Sequence, residues 1–337
     1  MQVQFSLSKK YVVVILIGLA AVAAGLIWYL SRPQPAPSSS EQSSAPNFAE
    51  QQAIAGSYEE IAKSQGVAAA YAKLKVDYAT NQAAGHDYAH VIGKIAYQQM
   101  GDKGLSICDS DLGFGCYHGF FEALIHDKGT PGFVVATTAC NKLGLSGQVA
   151  SCLHGLGHGV MGLRGDIAKA IDDCKTFADN ERIYCYDGAY MEYYTGIVQT
   201  DRTALKIDPK NPWRFCLAQY SEAQGQCVRN HTLSALSAGN QSQIAAWCAK
   251  LEGAMREQCT GTTGLRAVQT NPALESISAI CGAFTEKSDR QTCLVFAGRE
   301  LVFQHKAEDA RKLCQSDPAI LKSCTEAIDQ MAREYGN

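Results

Sequence analysis

Fourteen cysteines, all beyond residue 107, constrain this chain more than any other feature. They fall into seven consecutive local pairs: Cys108/Cys116, Cys140/Cys152, Cys174/Cys185, Cys216/Cys227, Cys248/Cys259, Cys281/Cys293 and Cys314/Cys324. Partners lie 8, 12, 11, 11, 11, 12 and 10 residues apart. Successive first members are 32, 34, 42, 32, 33 and 33 residues apart. An even count at regular spacing, downstream of an apolar N-terminal segment, reads as a disulfide framework built in an oxidising compartment. Cys-x-x-Cys occurs nowhere in the sequence. That removes the thioredoxin motif, the usual zinc ribbons and covalent c-type haem attachment.

A period near 33 residues is the length of a helix-turn-helix repeat. Apolar spacing agrees. Ile167 to Cys174 reads as a first helix ending in a cysteine, and Cys185 opens a second through Tyr190, Tyr193 and Tyr194. Ile277 to Cys281 and Cys293 to Leu301 repeat the pattern. Polar stretches such as Ala178–Glu181 and Glu286–Asp289 read as the turns between them. Each pair would then clip the end of a helix A to the start of a helix B, stabilising by roughly 2–3 kcal/mol on the chain-entropy account. Bridges between neighbouring repeats are the alternative, since spacing alone does not fix connectivity. The one long step holds an insertion around Thr200 to Trp213, with turn-rich Asp208-Pro209-Lys210-Asn211-Pro212. Two further helical patterns, Phe48 to Lys63 and Val67 to Ala79, precede the first cysteine. The second of these pairs with a helix starting near His86 to make a first repeat without cysteines. The expected fold is all-α, a solenoid of about eight hairpins. In architecture alone it resembles the tetratricopeptide/Sel1-like class of α-hairpin arrays, over residues 48–335; the signature residues of those families are not evident.

Tyr11 to Leu30 is a run of twenty uncharged residues, preceded by Lys9 and Lys10 and ending near Trp28 and Tyr29. Its length matches the hydrocarbon core of a bilayer, and the flanks fit a cytoplasmic N-terminus with an interfacial aromatic belt. The expected organisation is a cytoplasmic stretch 1–10, a single transmembrane anchor 11–30, a Pro/Ser-rich linker 31–47 and an extracytoplasmic helical domain 48–337. A cleaved signal peptide is the alternative, with Ala21-Val22-Ala23 as its cleavage site. Net charge is −3, from Lys+Arg 30 and Asp+Glu 33. With no basic stripe, nucleic acid is not an expected partner.

The B helices carry the chemistry. Cys-x-(His/Asp)-Gly recurs as Cys116–Gly119, Cys152–Gly155 and Cys185–Gly188, at what reads as the head of a helix. Aligned on the second cysteine, two columns appear. The first holds His86, His118, His154, Asp187 and Arg229; the second, four residues on, holds His90, Glu122, His158, Met191 and Leu233. Positions i and i+4 share a helix face. His86/His90, His118/Glu122 and His154/His158 on adjacent helices can therefore converge on a common ion. The expected metal ligands are His86, His90, His118, Glu122, His154, His158 and Asp187, around one or two transition-metal ions such as Zn, Fe or Cu. Asp187 is either a ligand or the group orienting a histidine. Gly119, Gly155 and Gly188, which follow His118, His154 and Asp187, make room for close helix approach or for a substrate.

Competing readings attach to the same residues. The histidines could be ordinary packing or helix-start residues. Two could hold a non-covalent haem between Phe120, Phe121 and Leu156. Gly157–Gly162 matches a dinucleotide-binding pattern but lacks a preceding strand. His231, off both columns, reads as a helix-cap residue, and His126 and His305 as exposed. The expected function is a membrane-anchored metal-binding protein, as a hydrolase or oxidase with Glu122 or Asp187 as base. The rival is a non-enzymatic scaffold binding proteins or peptides in the cell envelope.

Overall fold

The computed structural model describes residues 48–79, 81–109, 111–195 and 207–335, and the segment expected to form the membrane anchor lies outside them. Sixteen α-helices and no strand occur among the described residues. After α1 (Phe48–Gln65) the helices alternate as hairpins. The first hairpin is α2 (Val67–Asp77) with α3 (Gln82–Met100). In the second, a 3-10 helix over Gly101–Ile107 stands in for helix A before α4 (Gly115–Lys128). Then come α5 (Thr130–Cys140) with α6 (Ser146–Arg164), and α7 (Ile167–Cys174) with α8 (Asp179–Thr195). After the insertion follow α9 (Arg214–Leu217) with α10 (Gln224–Ser237), and α11 (Gln241–Cys248) with α12 (Gly253–Thr270). The last two hairpins are α13 (Leu274–Gly282) with α14 (Lys287–Phe303), and α15 (Ala307–Gln315) with α16 (Leu321–Tyr335). No helix among the described residues is long and apolar enough to cross a membrane.

All seven disulfides join the local pairs read from the sequence, with Cα–Cα distances of 5.3–5.6 Å. Each one ties the end of an A element to its own B helix. The B helices begin one to six residues before their cysteine, earlier than the sequence reading has them. The polar residues between the cysteines are the reason. Asp179 and Glu181 form the first turn of α8, where acidic side chains suit the positive end of the helix dipole. Cys-x-(His/Asp)-Gly therefore lies inside helices α6 and α8, and a capping role for its histidine falls away.

Successive B helices pack directly on one another, and glycines set how close they come. A Cβ on Gly119 of α4 would lie 1.8 Å from the carbonyl oxygen of His90 in α3. One on Gly188 of α8 would lie 1.9 Å from that of His154 in α6. One on Gly264 of α12 would lie 1.9 Å from that of Cys293 in α14. Close approach is thus the explanation for these recurring glycines. One apolar cluster runs along the hairpins, with Phe120, Phe121, Leu153, Leu156, Tyr186 and Tyr190 at most 1% exposed. The stack also departs from nearest-neighbour order. Helix α16 packs on α6, and Phe303 of α14 stacks on Phe114 before α4, with ring centres 6.4 Å apart.

Candidate metal centre

The close packing of α3, α4 and α6 brings five imidazoles together. His86 and His90 come from α3, His118 from α4, and His154 and His158 from α6. Two groups of three, His86/His90/His118 and His118/His154/His158, each offer ligand atoms within 4.8 Å of one another. Ring centres within the first group are 4.9, 5.1 and 5.3 Å apart. Within the second they are 5.1, 5.0 and 4.9 Å apart. Three imidazoles bound tetrahedrally at about 2.0–2.1 Å would have nitrogens about 3.3 Å apart and ring centres about 5 Å apart. The ring-centre spacings match that geometry.

Hydrogen bonds set which nitrogen faces inward. His86 Nδ1 donates to the Leu112 carbonyl at 3.0 Å. That carbonyl is aimed by an unusual turn, in which Leu112, Gly113 and Phe114 all take left-handed backbone angles (φ 52°, 61° and 66°). Such angles cost on the order of 1–3 kcal/mol at a non-glycine residue and collect at functional sites. His154 Nδ1 donates to Asp187 Oδ2 at 3.1 Å, and His158 Nδ1 to Glu192 Oε2 at 3.0 Å. Each of these three rings is left with a lone pair on Nε2. The Nε2 atoms of His154 and His158 then face each other at 3.1 Å. Two lone pairs at that distance repel, and a cation between them turns the contact into attraction. His90 Nε2 lies 3.2 Å from His86 Nε2, where its N–H can donate to the His86 lone pair. His118, only 3% exposed, has no hydrogen-bond partner on either ring nitrogen.

Burial is the main force holding the His86, His90, His118 and His154 imidazoles below their usual pKa. Like-charged neighbours add to it at His90 and His118. The neutral ring is the form that binds metal. At Asp187 burial opposes ionisation, but Arg229, His154 and Asn230 outweigh it and hold the carboxyl well below the usual range. Arg229 approaches Asp187 Oδ1 at 3.1 Å as an ion pair, and Asn230 Nδ2 donates to it at 2.8 Å. The first column is thus one continuous polar row across α3, α4, α6, α8 and α10.

Of the residues singled out from the sequence, the five histidines converge. Asp187 lies one step out, orienting His154 rather than joining either group of three. Glu122 turns away and pairs with Lys94 of α3 at 2.9 Å. The register explains this: His118 sits level with the His86/His90 turn, so the next turn of α4 meets the next turn of α3. His231 is no cap; it is buried mid-helix in α10, 2.9 Å from the Tyr194 hydroxyl. His126 and His305 are exposed. Glu192 and the Leu112 carbonyl were not singled out. Glu192 had a signal, since it follows His158 by 34 residues, one repeat, as Asp187 follows His154 by 33. Leu112 had none, because its carbonyl is aimed by backbone geometry.

Fold and site together define an all-helical, disulfide-stapled repeat protein with a buried cluster of imidazoles. Comparison with protein-family models, curated proteins and solved structures finds no match to this chain.

Proposed function

We propose that this is a membrane-anchored, extracytoplasmic metal-binding protein whose five clustered histidines hold a transition-metal centre. The observation that carries the reading is the 3.1 Å contact between His154 Nε2 and His158 Nε2, with both Nδ1 atoms committed to carboxylates. Histidine ligands held by a carboxylate on the second nitrogen are the usual construction of metal sites. The side chains that face the ion are all imidazole, which suits Zn, Cu, Fe or Ni over Mg or Ca. Asp187 and Glu192 serve as orienting groups. Residues 11–30 supply the anchor, 31–47 the tether, and the hairpin array resembles a tetratricopeptide/Sel1-like solenoid. Each group offers three protein ligands, which leaves a fourth position for water or substrate and fits hydrolytic or redox chemistry.

The test is elemental mass spectrometry on the full-length chain, expressed through an oxidising export route. Bound transition metal in the native protein and its loss in a His154→Ala/His158→Ala variant of native helicity support the reading. A folded native chain that takes up none of the supplied Zn, Cu, Fe or Ni refutes it and leaves the non-enzymatic envelope scaffold in front.

A further inference from the structure

We propose that His118 binds two metal ions at once, one on each ring nitrogen, so that the two histidine groups form a single binuclear centre. This deepens the metal-binding reading above and rests on it.

His118 is the residue shared by both groups. Its ring centre lies 5.1 and 5.3 Å from those of His86 and His90, and 5.1 and 5.0 Å from those of His154 and His158. It is therefore in reach of both pairs, which approach each other at 5.9 Å between His90 and His158 and each lack one nitrogen for a three-coordinate set. Its hydrogen bonding differs from that of three of its four neighbours; the fourth, His90, contacts only His86 Nε2 through its own Nε2. His86, His154 and His158 each fix Nδ1 on an oxygen acceptor and keep one nitrogen for metal. A histidine that binds one ion is held in this way. Both nitrogens of His118 are buried and have no such partner. A neutral imidazole carries one N–H, and a buried N–H without an acceptor is costly. A second ion in place of that proton leaves neither nitrogen unsatisfied.

Glycine in the facing helix lets the ring sit where it does. A Cβ on Gly155 of α6 would lie 2.9 Å from His118 Cδ2, so the ring rests against the α6 backbone. Binding of the second ion displaces the one ring proton of His118 to solvent, and the ring becomes a bridging imidazolate. Each ion then has three nitrogen ligands, two from a His pair and one from the bridge. An all-imidazole set of this kind selects late first-row divalent ions, copper and zinc above all.

The test is copper(II) titration of the metal-stripped full-length protein, with weakly held surface copper removed by a glycine wash. Elemental mass spectrometry gives the stoichiometry, and electron paramagnetic resonance reports coupling between the ions. The proposal expects two equivalents per chain. At two equivalents the signal should fall well below that of two isolated ions, because copper ions joined by one imidazolate couple antiferromagnetically. His154→Ala should retain one ion with full, uncoupled intensity. His118→Gln, checked for native helicity by circular dichroism, should abolish the coupling. One equivalent in the native protein, or two without coupling, overturns the bridge while the metal reading stands. Coupling that survives in a folded His118→Gln variant also overturns it. No retained copper, zinc, nickel or iron removes both.

Discussion

Asp187 and Glu192 act from one helix, α8, on two histidines of another, α6. Each carboxylate holds an imidazole Nδ1 and so turns Nε2 inward. Removing such an orienting group typically costs 10–100-fold in metal affinity. Asp187→Asn and Glu192→Gln should each weaken metal binding by about that factor in a competition titration, with folding retained. Affinity unchanged in both would show that the carboxylates do not orient ligands. A second residue-scale prediction concerns His231. Burial pushes its pKa down to about 4. Unfolded, it titrates near 6.5. Between those values the unfolded chain takes up a proton that the folded chain does not. The neutral ring's contribution is present in full above about pH 6.5 and is lost as pH falls toward 4, on the order of 3 kcal/mol for this group. The depressed cluster histidines act in the same direction. Denaturant midpoints of the metal-free protein should be lower at pH 5 than at pH 7.5; an unchanged or higher midpoint at pH 5 contradicts this. The five histidines were legible because they recur at helical spacing within a repeat. Glu122 looked equivalent to them, and only the register between α3 and α4, which sends it to Lys94, separates it.

At the scale of the helix, glycine at the packing seams decides how near the imidazoles come. Gly119→Ala or Gly188→Ala would drive a Cβ to within 1.8 or 1.9 Å of a neighbouring carbonyl oxygen. Backbone cannot yield as a flexible side chain can, so each change should destabilise by about 3 kcal/mol or more. Gly162→Ala is the control, since a Cβ there meets nothing within 4 Å. It should be neutral or stabilise by up to about 1 kcal/mol through helix propensity. Thermal melts of the three variants check this, and equal midpoints would show that the seams tolerate a methyl group. The A and B helices were legible from cysteine spacing and apolar period. Their starts were not, because residues such as Asp179 and Glu181 favour a turn and a first helical turn equally well. The 3-10 helix before Cys108 was also hidden: Gly101 and Gly104 weaken an α-helix there, and the short separation of 8 to Cys116 was the one clue.

Over the whole molecule, seven short disulfide loops accompany a core of modest hairpins. Each loop contributes roughly 2–3 kcal/mol on the chain-entropy account. Domains of this kind have net stabilities of only about 5–15 kcal/mol. Complete reduction and alkylation should therefore abolish the cooperative thermal transition in circular dichroism. An alkylated protein that melts like the oxidised one would show that the staples are dispensable. The repeat period revealed the hairpin order, but repeat logic sees only neighbours. The packing of α16 on α6, and of Phe303 on Phe114, joins residues distant in sequence with no periodic relation. Both contacts lie beside elements that build the histidine cluster. In the proposed metal centre, imidazoles alone make up the protein's share of the ligands. X-ray absorption at the edge of the bound metal tests this most directly. The predicted spectrum shows nitrogen scatterers near 2.0–2.1 Å, with the outer-shell pattern of several imidazole rings. A first shell of sulfur, or of oxygen without imidazole scattering, would contradict it.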